Sequence, residues 1–120
     1  MSAGEIVGAF IAAVERRDID AAMELLDDDI VYDNVPMPVM EGRDVVRAGL
    51  GAFIGGADEI EWVVHRQVES GGTVMNERLD RFRFGDRWLE VPVAGVWEVA
   101  DGCITLWRDY FDLETFTKQQ

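Results

Sequence analysis

The amino-acid sequence predicts an α+β fold in which early helices cover a curved sheet, and three observations predict it. Apolar residues recur at helical spacing near the start, at Ile6, Val7, Phe10, Ile11 and Val14. From Ile60 onward the chain is β-rich in long stretches. Ser70-Gly71-Gly72, Gly85-Asp86 and Asp101-Gly102 punctuate those stretches as hairpin turns. Helices first and hairpin-linked strands afterwards are the order of an α+β architecture, and a bent sheet under helices encloses a pocket.

Each element has its own signal. Ile6 to Val14 make one amphipathic helix. Asp18 reads as the N-cap of a second, short helix through Ala21, Ala22, Leu25 and Leu26. A strand follows from Ile30 to Asn34. Pro36-Met37-Pro38 must leave regular structure, since proline neither donates to a ladder nor continues a helix. Gly42-Arg43-Asp44 leads into a third helix near Val45 to Ile54, ended by Gly55-Gly56. Four strands then form a meander: Ile60 to Val68, Thr73 to Phe84, Trp88 to Val99 and Ile104 to Phe111. Leu113 to Lys118 fits a terminal helix. With no repeat, low-complexity stretch or linker, residues 1–120 are expected to be a single domain.

Composition narrows the function classes. The chain is 48% hydrophobic, enough for a core, and carries a formal net charge of −13. Nucleic acids and anionic membranes need cationic surfaces, so neither is expected as a partner. The acid clusters Asp18-Ile19-Asp20 and Asp27-Asp28-Asp29 read as solvated surface, because no calcium-loop pattern accompanies them. One cysteine, Cys103, leaves no internal disulfide, and a lone histidine, His65, makes neither a multi-histidine metal site nor a convincing triad. No signal-peptide pattern opens the chain and no apolar run spans a membrane, so a cytoplasmic location is expected.

The chemistry lies in three polar motifs set on apolar strands. Alternation puts Tyr32 with Asn34 on one face. It likewise puts Arg78 and Asp80 on a face with Val74, Asn76, Phe82 and Phe84, and Asp109 on a face with Trp107 and Phe111. A buried Arg–Asp pair costs desolvation that apolar residues avoid, and alone it fits two readings equally: an internal ion pair that fixes register, or a working site. Asp109, a lone acid in an apolar row, favours the second. Two carboxylates around one guanidinium need not titrate alike, since the arginine lowers both pKa values while burial and repulsion raise one. One acid can then donate a proton while the other acts as base toward a water held by the phenol and the amide.

Tyr32-x-Asn34, Glu77-Arg78-x-Asp80 and Trp107-Arg108-Asp109-Tyr110-Phe111-Asp112-Leu113 resemble the limonene-1,2-epoxide hydrolase family. That family belongs to the folds like nuclear transport factor 2 and SnoaL. The likeness covers nearly the whole chain in order and spacing, including Pro36-x-Pro38 and Gly42-Arg43-Asp44. It implies a cone-shaped, strongly curved mixed sheet with a deep apolar pocket. It also implies one-step hydrolysis of an epoxide to a vicinal diol, without metal, cofactor or covalent enzyme intermediate. Carried over by position, Asp109 is the base, Tyr32 and Asn34 hold the water with it, Asp80 is the acid, and Arg78 bridges the two aspartates. Phe82, Trp107 and Phe111 share faces with these groups and are expected to line the pocket. Leu50, Phe53 and Phe116 are expected to cover its mouth. These side chains suit an apolar epoxide such as a terpene, a cyclic alkene oxide, a sterol or a fatty-acid epoxide.

Two other functions suit such a fold, since fold alone does not fix chemistry. A ketosteroid isomerase uses aspartate and tyrosine in an apolar cone but needs no inward Arg78 and no Asn34. A non-catalytic binder of apolar ligands would leave the two acids separated or facing solvent. The outer sheet face, with Met75, Leu79, Ile104 and Leu106 assigned to it, and the habit of the family both lead to the expectation of a homodimer.

Overall fold

A computed structural model describes residues 1–120. Its elements run α1 (Ala3–Glu15), α2 (Ile19–Glu24), β1 (Leu26–Val35), β2 (Met40–Glu41), α3 (Arg43–Gly56), β3 (Glu59–Ser70), β4 (Thr73–Phe84), β5 (Arg87–Ala100), β6 (Cys103–Tyr110) and α4 (Leu113–Thr117). One six-stranded sheet has the order β2-β1-β6-β5-β4-β3. β1 runs parallel to β6 and every other pairing is antiparallel, so the sheet is mixed. No helix is long and apolar enough to cross a membrane.

The helix starts follow capping chemistry. Ser2 accepts from the Glu5 amide at 3.1 Å while its own amide donates to Glu5 Oε1 at 2.8 Å, a reciprocal capping box for α1. Asp18 caps α2 as expected, accepting from the Ala21 amide at 3.1 Å. The Asp101-Gly102 turn holds both residues at positive φ, 52° and 80°, the two-residue geometry whose twist suits a hairpin.

α1 buries its apolar stripe on the concave sheet face. Phe10 meets Trp107 edge-on at 5.0 Å and Trp97 at 5.7 Å. Complete burial of a side chain such as Phe10 stabilises by about 2–3 kcal/mol. α3 closes another part of that face through Val46, Leu50 and Ile54, all buried. The pocket lies between α3 and the sheet.

Several boundaries differ from the sequence reading. β1 begins at Leu26, where the second helix was expected to continue. Leu26 pairs with Ile104 and Val31 with Leu106, so β1 carries extra residues over Asp27–Ile30. The acid cluster thus loops out of the ladder. The two-residue strand β2 pairs with Tyr32 and Val31 and has no signal in a stretch dominated by prolines. Ile104 is a correction. Glu98 pairs with Leu106 but Val99 with Ile104, which places one extra residue, Thr105, on β6. The bulge reverses alternation, and Ile104 lies fully buried instead of on the outer face. Met75 remains exposed there, and Leu79 and Leu106 are partly buried. Around them Arg81 reaches Glu61 and Glu90, and Arg108 reaches Asp33 at 2.8 Å.

Candidate active site

The site is a row across the sheet. Register aligns Asn34 of β1 with Asp109 of β6, Asp109 with Gly95 of β5, Gly95 with Asn76 of β4, and Asn76 with Gln67 of β3. The Arg78 side chain, completely buried, lies over the gap that Gly95 leaves. A Cβ at Gly95 would stand 2.4 Å from Arg78 Nη1 and 2.9 Å from both Asn76 Oδ1 and Asp109 Oδ1. Only a residue without a side chain admits the guanidinium here.

Arg78 makes four charge-assisted or polar bonds. Nε donates to Asp80 Oδ1 at 3.0 Å and Nη2 to Asp80 Oδ2 at 2.9 Å, a bidentate pair. Nη2 also donates to Asp109 Oδ2 at 2.9 Å. Nη1 donates to Asn76 Oδ1 at 2.9 Å. Trp62 and Trp97 flank the guanidinium with ring centres 5.4 and 5.5 Å from Cζ. One nitrogen therefore ties together two carboxylates from different strands, behind the wall of a cavity.

The cavity has a volume of about 230 Å³. Its polar lining is Tyr32, Asn34, Asp80 and Asp109, while the remainder is mainly apolar. Leu50, Phe53, Phe82, Phe111 and Phe116 all line it. Trp107 does not, and this corrects the expectation. Its ring is fully buried beneath the site, stacked against Tyr32 at 3.8 Å and Trp97 at 5.1 Å, each pair within 7° of parallel. Sharing a face with Asp109 placed Trp107 under the tyrosine ring instead of in the cavity wall. Missing from the sequence reading were Trp62, Met37, Met40, Val91 and Val93 in the lining, and the supporting pair Asn76 and Gly95. A glycine inside a long strand is a signal of close backbone approach, and Asn76 sits two residues before Arg78 on the same face.

Burial raises the three acidic groups here, and the carboxylates decide the arginine. It pushes the Asp109 carboxyl up to about 6, with the Arg78 charge opposing and the Asp80 charge adding. Burial likewise raises Asp80 against the pull of Arg78. Tyr32 is held well above the ordinary phenol range, first by burial and then by the Asp109 charge, so it stays a hydroxyl. Burial alone would ease the proton off Arg78, but the two carboxylates outweigh it and keep the guanidinium charged. No three His, Cys, Asp or Glu side chains converge as a metal site would require.

The bent mixed sheet with helices over one end is the cone of proteins like nuclear transport factor 2 and SnoaL. A SnoaL-like polyketide cyclase homologue from Shewanella denitrificans superposes with a TM-score of 0.86 over 98% of this chain and 95% of that one, at 15% identity, a likeness of fold alone. The family model described as the limonene-1,2-epoxide hydrolase catalytic domain matches residues 1–120. Epoxide hydrolase EphG of Mycobacterium tuberculosis is 39% identical over 107 residues, which are 89% of this chain and 71% of that protein. The structure of a limonene-epoxide-hydrolase-like epoxide hydrolase from M. tuberculosis superposes with a TM-score of 0.87 at 37% identity, covering 98% of this chain and 87% of that one. The chain belongs to the limonene-1,2-epoxide hydrolase family and is an epoxide hydrolase.

Proposed function

We propose that this protein adds water to an apolar epoxide in one step, with Asp109 as base, Asp80 as acid and Arg78 between them. The observation that carries the reading is the Arg78 Nη2 bridge, 2.9 Å to each carboxylate, with both carboxylates lining a mainly apolar cavity. Separated or solvent-facing acids would have favoured a binder, and an isomerase has no use for this bridge. Tyr32, Asn34 and Asp109 hold the attacking water. Its oxygen forms a bond to one epoxide carbon as that carbon's bond to the ring oxygen breaks, which inverts the attacked centre. Asp80 gives its proton to the ring oxygen and Asp109 takes one from the water, so the product is a vicinal diol. Transfer of one proton from Asp109 back to Asp80 restores the starting state.

The cavity suits a substrate whose only polar part is the epoxide, because its lining is mainly apolar apart from Tyr32, Asn34, Asp80 and Asp109. A second copy of the chain over the outer sheet face, where Met75, Val68 and Tyr110 are exposed, completes the reading as a homodimer. Sedimentation that shows only monomer at micromolar concentration would remove that part. The main test is hydrolysis of epoxides ranging from limonene oxide to a steroid epoxide by wild type and Asp109→Asn. Diol from wild type, and none from a folded Asp109→Asn protein, is the expected result. Tight binding with no diol from any substrate would replace the hydrolase by a carrier.

A further inference from the structure

We propose that Asn76 is a positioning residue for the hydrolysis, holding the Arg78 guanidinium so that one nitrogen, Nη2, reaches both Asp80 and Asp109. This rests on the roles given to those two acids above. Asn76, Arg78 and Asp80 occupy alternate positions of β4 and so share one face. Asp80 grips one edge of the guanidinium through Nε and Nη2. That edge alone leaves the planar fork free to rock about the Asp80 carboxylate. Asn76 pins the opposite corner, accepting from Nη1 at 2.9 Å.

The amide can hold that corner in only one orientation. Its Oδ1 accepts from Trp97 Nε1 at 3.2 Å as well as from Arg78, and its Nδ2 donates to Gln67 Oε1 at 3.1 Å. A flipped amide would set donor against donor at Arg78 and Trp97. Both the amide and the guanidinium are buried, at 5% and 1% exposure, so water does not substitute for a lost partner without a cavity opening. Asn76 and Asp109 stand two strands apart, about 10 Å at ordinary sheet spacing. The guanidinium spans that interval over Gly95, and a small swing at Nη1 moves Nη2 off Asp109.

Neutral substitution isolates this role. The charged or titratable groups facing Asp109 are Arg78 and Asp80 from β4 and Tyr32 from β1, and β5 contributes only Gly95. Asn76→Leu keeps the side-chain length and adds no charge, so it reaches the Asp109 titration only by moving the arginine. Asn76→Asp keeps an acceptor for Nη1, and the exposed Gln67 can turn its amide to donate. Carbon-13 carboxyl NMR, with Asp109→Asn for assignment, reads the Asp109 pKa directly. In Asn76→Leu the expected result is a rise of about one unit, because Arg78 no longer lowers it fully. The acid limb of kcat/KM should rise with it, and kcat should fall about tenfold with KM nearly unchanged. Asn76→Asp should restore kcat at alkaline pH. If Asn76→Leu does not fold, Asn76→Ser, too short to reach Nη1, is read in the same way. A folded neutral variant with a wild-type Asp109 titration and kcat overturns the proposal. A shifted titration in a protein whose wild type forms no diol keeps Asn76 as the anchor of Arg78 and sinks the hydrolase reading instead.

Discussion

Gly95→Ala is the smallest change that tests the site geometry. The added Cβ would fall 2.4 Å from Arg78 Nη1, with Asn76 Oδ1 and Asp109 Oδ1 both at 2.9 Å. Ordinary contact needs about 3.5 Å between heavy atoms, so the guanidinium or the strand must move by about 1 Å. Neither moves freely. Arg78 is bonded to three side chains and flanked by two indoles, and β5 is paired on both edges at Gly95. Overpacking of this kind costs about 1–3 kcal/mol. Loss of a hydrogen bond to a charged group adds about 1.5–3 kcal/mol, and one relieves part of the other, so about 2–4 kcal/mol is expected in total. In a domain of this size that lowers Tm by roughly 10 °C. Displacement of the bridge by about 1 Å should also reduce kcat/KM on the order of a hundredfold. Thermal unfolding and diol formation on the purified variant give both numbers. A Gly95→Ala protein with wild-type Tm and activity would show that the guanidinium does not need this gap, and the geometry argued above would fail.

Other perturbations separate the roles. The kcat/KM for epoxide hydrolysis should fall below pH about 6, where Asp109 takes up a proton and ceases to be a base. A flat profile from pH 5 to 8 would refute that assignment. Stability should move in the opposite sense: between the ordinary carboxylate pKa of 3.8 and about 6 the folded protein holds a proton the unfolded chain has released. The contribution of Asp109 is therefore fully present below that window and is lost as pH rises through it, which urea titrations at pH 4.5 and 7 should register after comparison with Asp109→Asn. Arg78→Met leaves two buried carboxylates unpaired and should cost about 3–5 kcal/mol at pH 7, with part of the loss recovered on acidification. Phe53→Ala opens the cavity wall and should shift preference toward bulkier epoxides, whereas Trp107→Leu should lower stability by several kcal/mol, on the order of a large core truncation, without widening substrate choice.

Much of this was legible in the chain because its devices are local. The Asp18 cap, the Asp101-Gly102 turn and the faces of β4 follow from short-range rules, and so does the Ser2 capping box, which the sequence reading passed over. Tyr32, Asn34, Arg78, Asp80 and Asp109 could be grouped from alternation and family pattern together; in the structure the first two and both acids line the cavity, and Arg78 bonds the acids from behind its wall. Ile104 was misplaced because alternation cannot show a bulge, and the extra Thr105 reverses the face only in the context of its partner strand. Trp107 was misplaced for a related reason. A shared face specifies a direction, but which aromatic ring lies outermost depends on the rings beside it. Gly95 and Asn76 take their meaning from lateral register across four strands, and nothing in the order of residues along the chain states that register.

The aromatic stack has an optical consequence. Of the four tryptophans, Trp62 walls the cavity, and Trp97 and Trp107 lie nearly parallel with their centres 5.1 Å apart directly behind it. Only Trp88, held against Arg81 on the outer side, stands away from this group. Indoles so close and so fixed couple their transitions, and the resulting near-ultraviolet circular dichroism vanishes when packing is lost while the backbone remains folded. The substrate cavity thus carries its own chromophores. Arrival of a transparent aliphatic ligand beside Trp62, or a shift of Tyr32 against Trp107, can be followed in unlabelled protein, before any chemistry occurs.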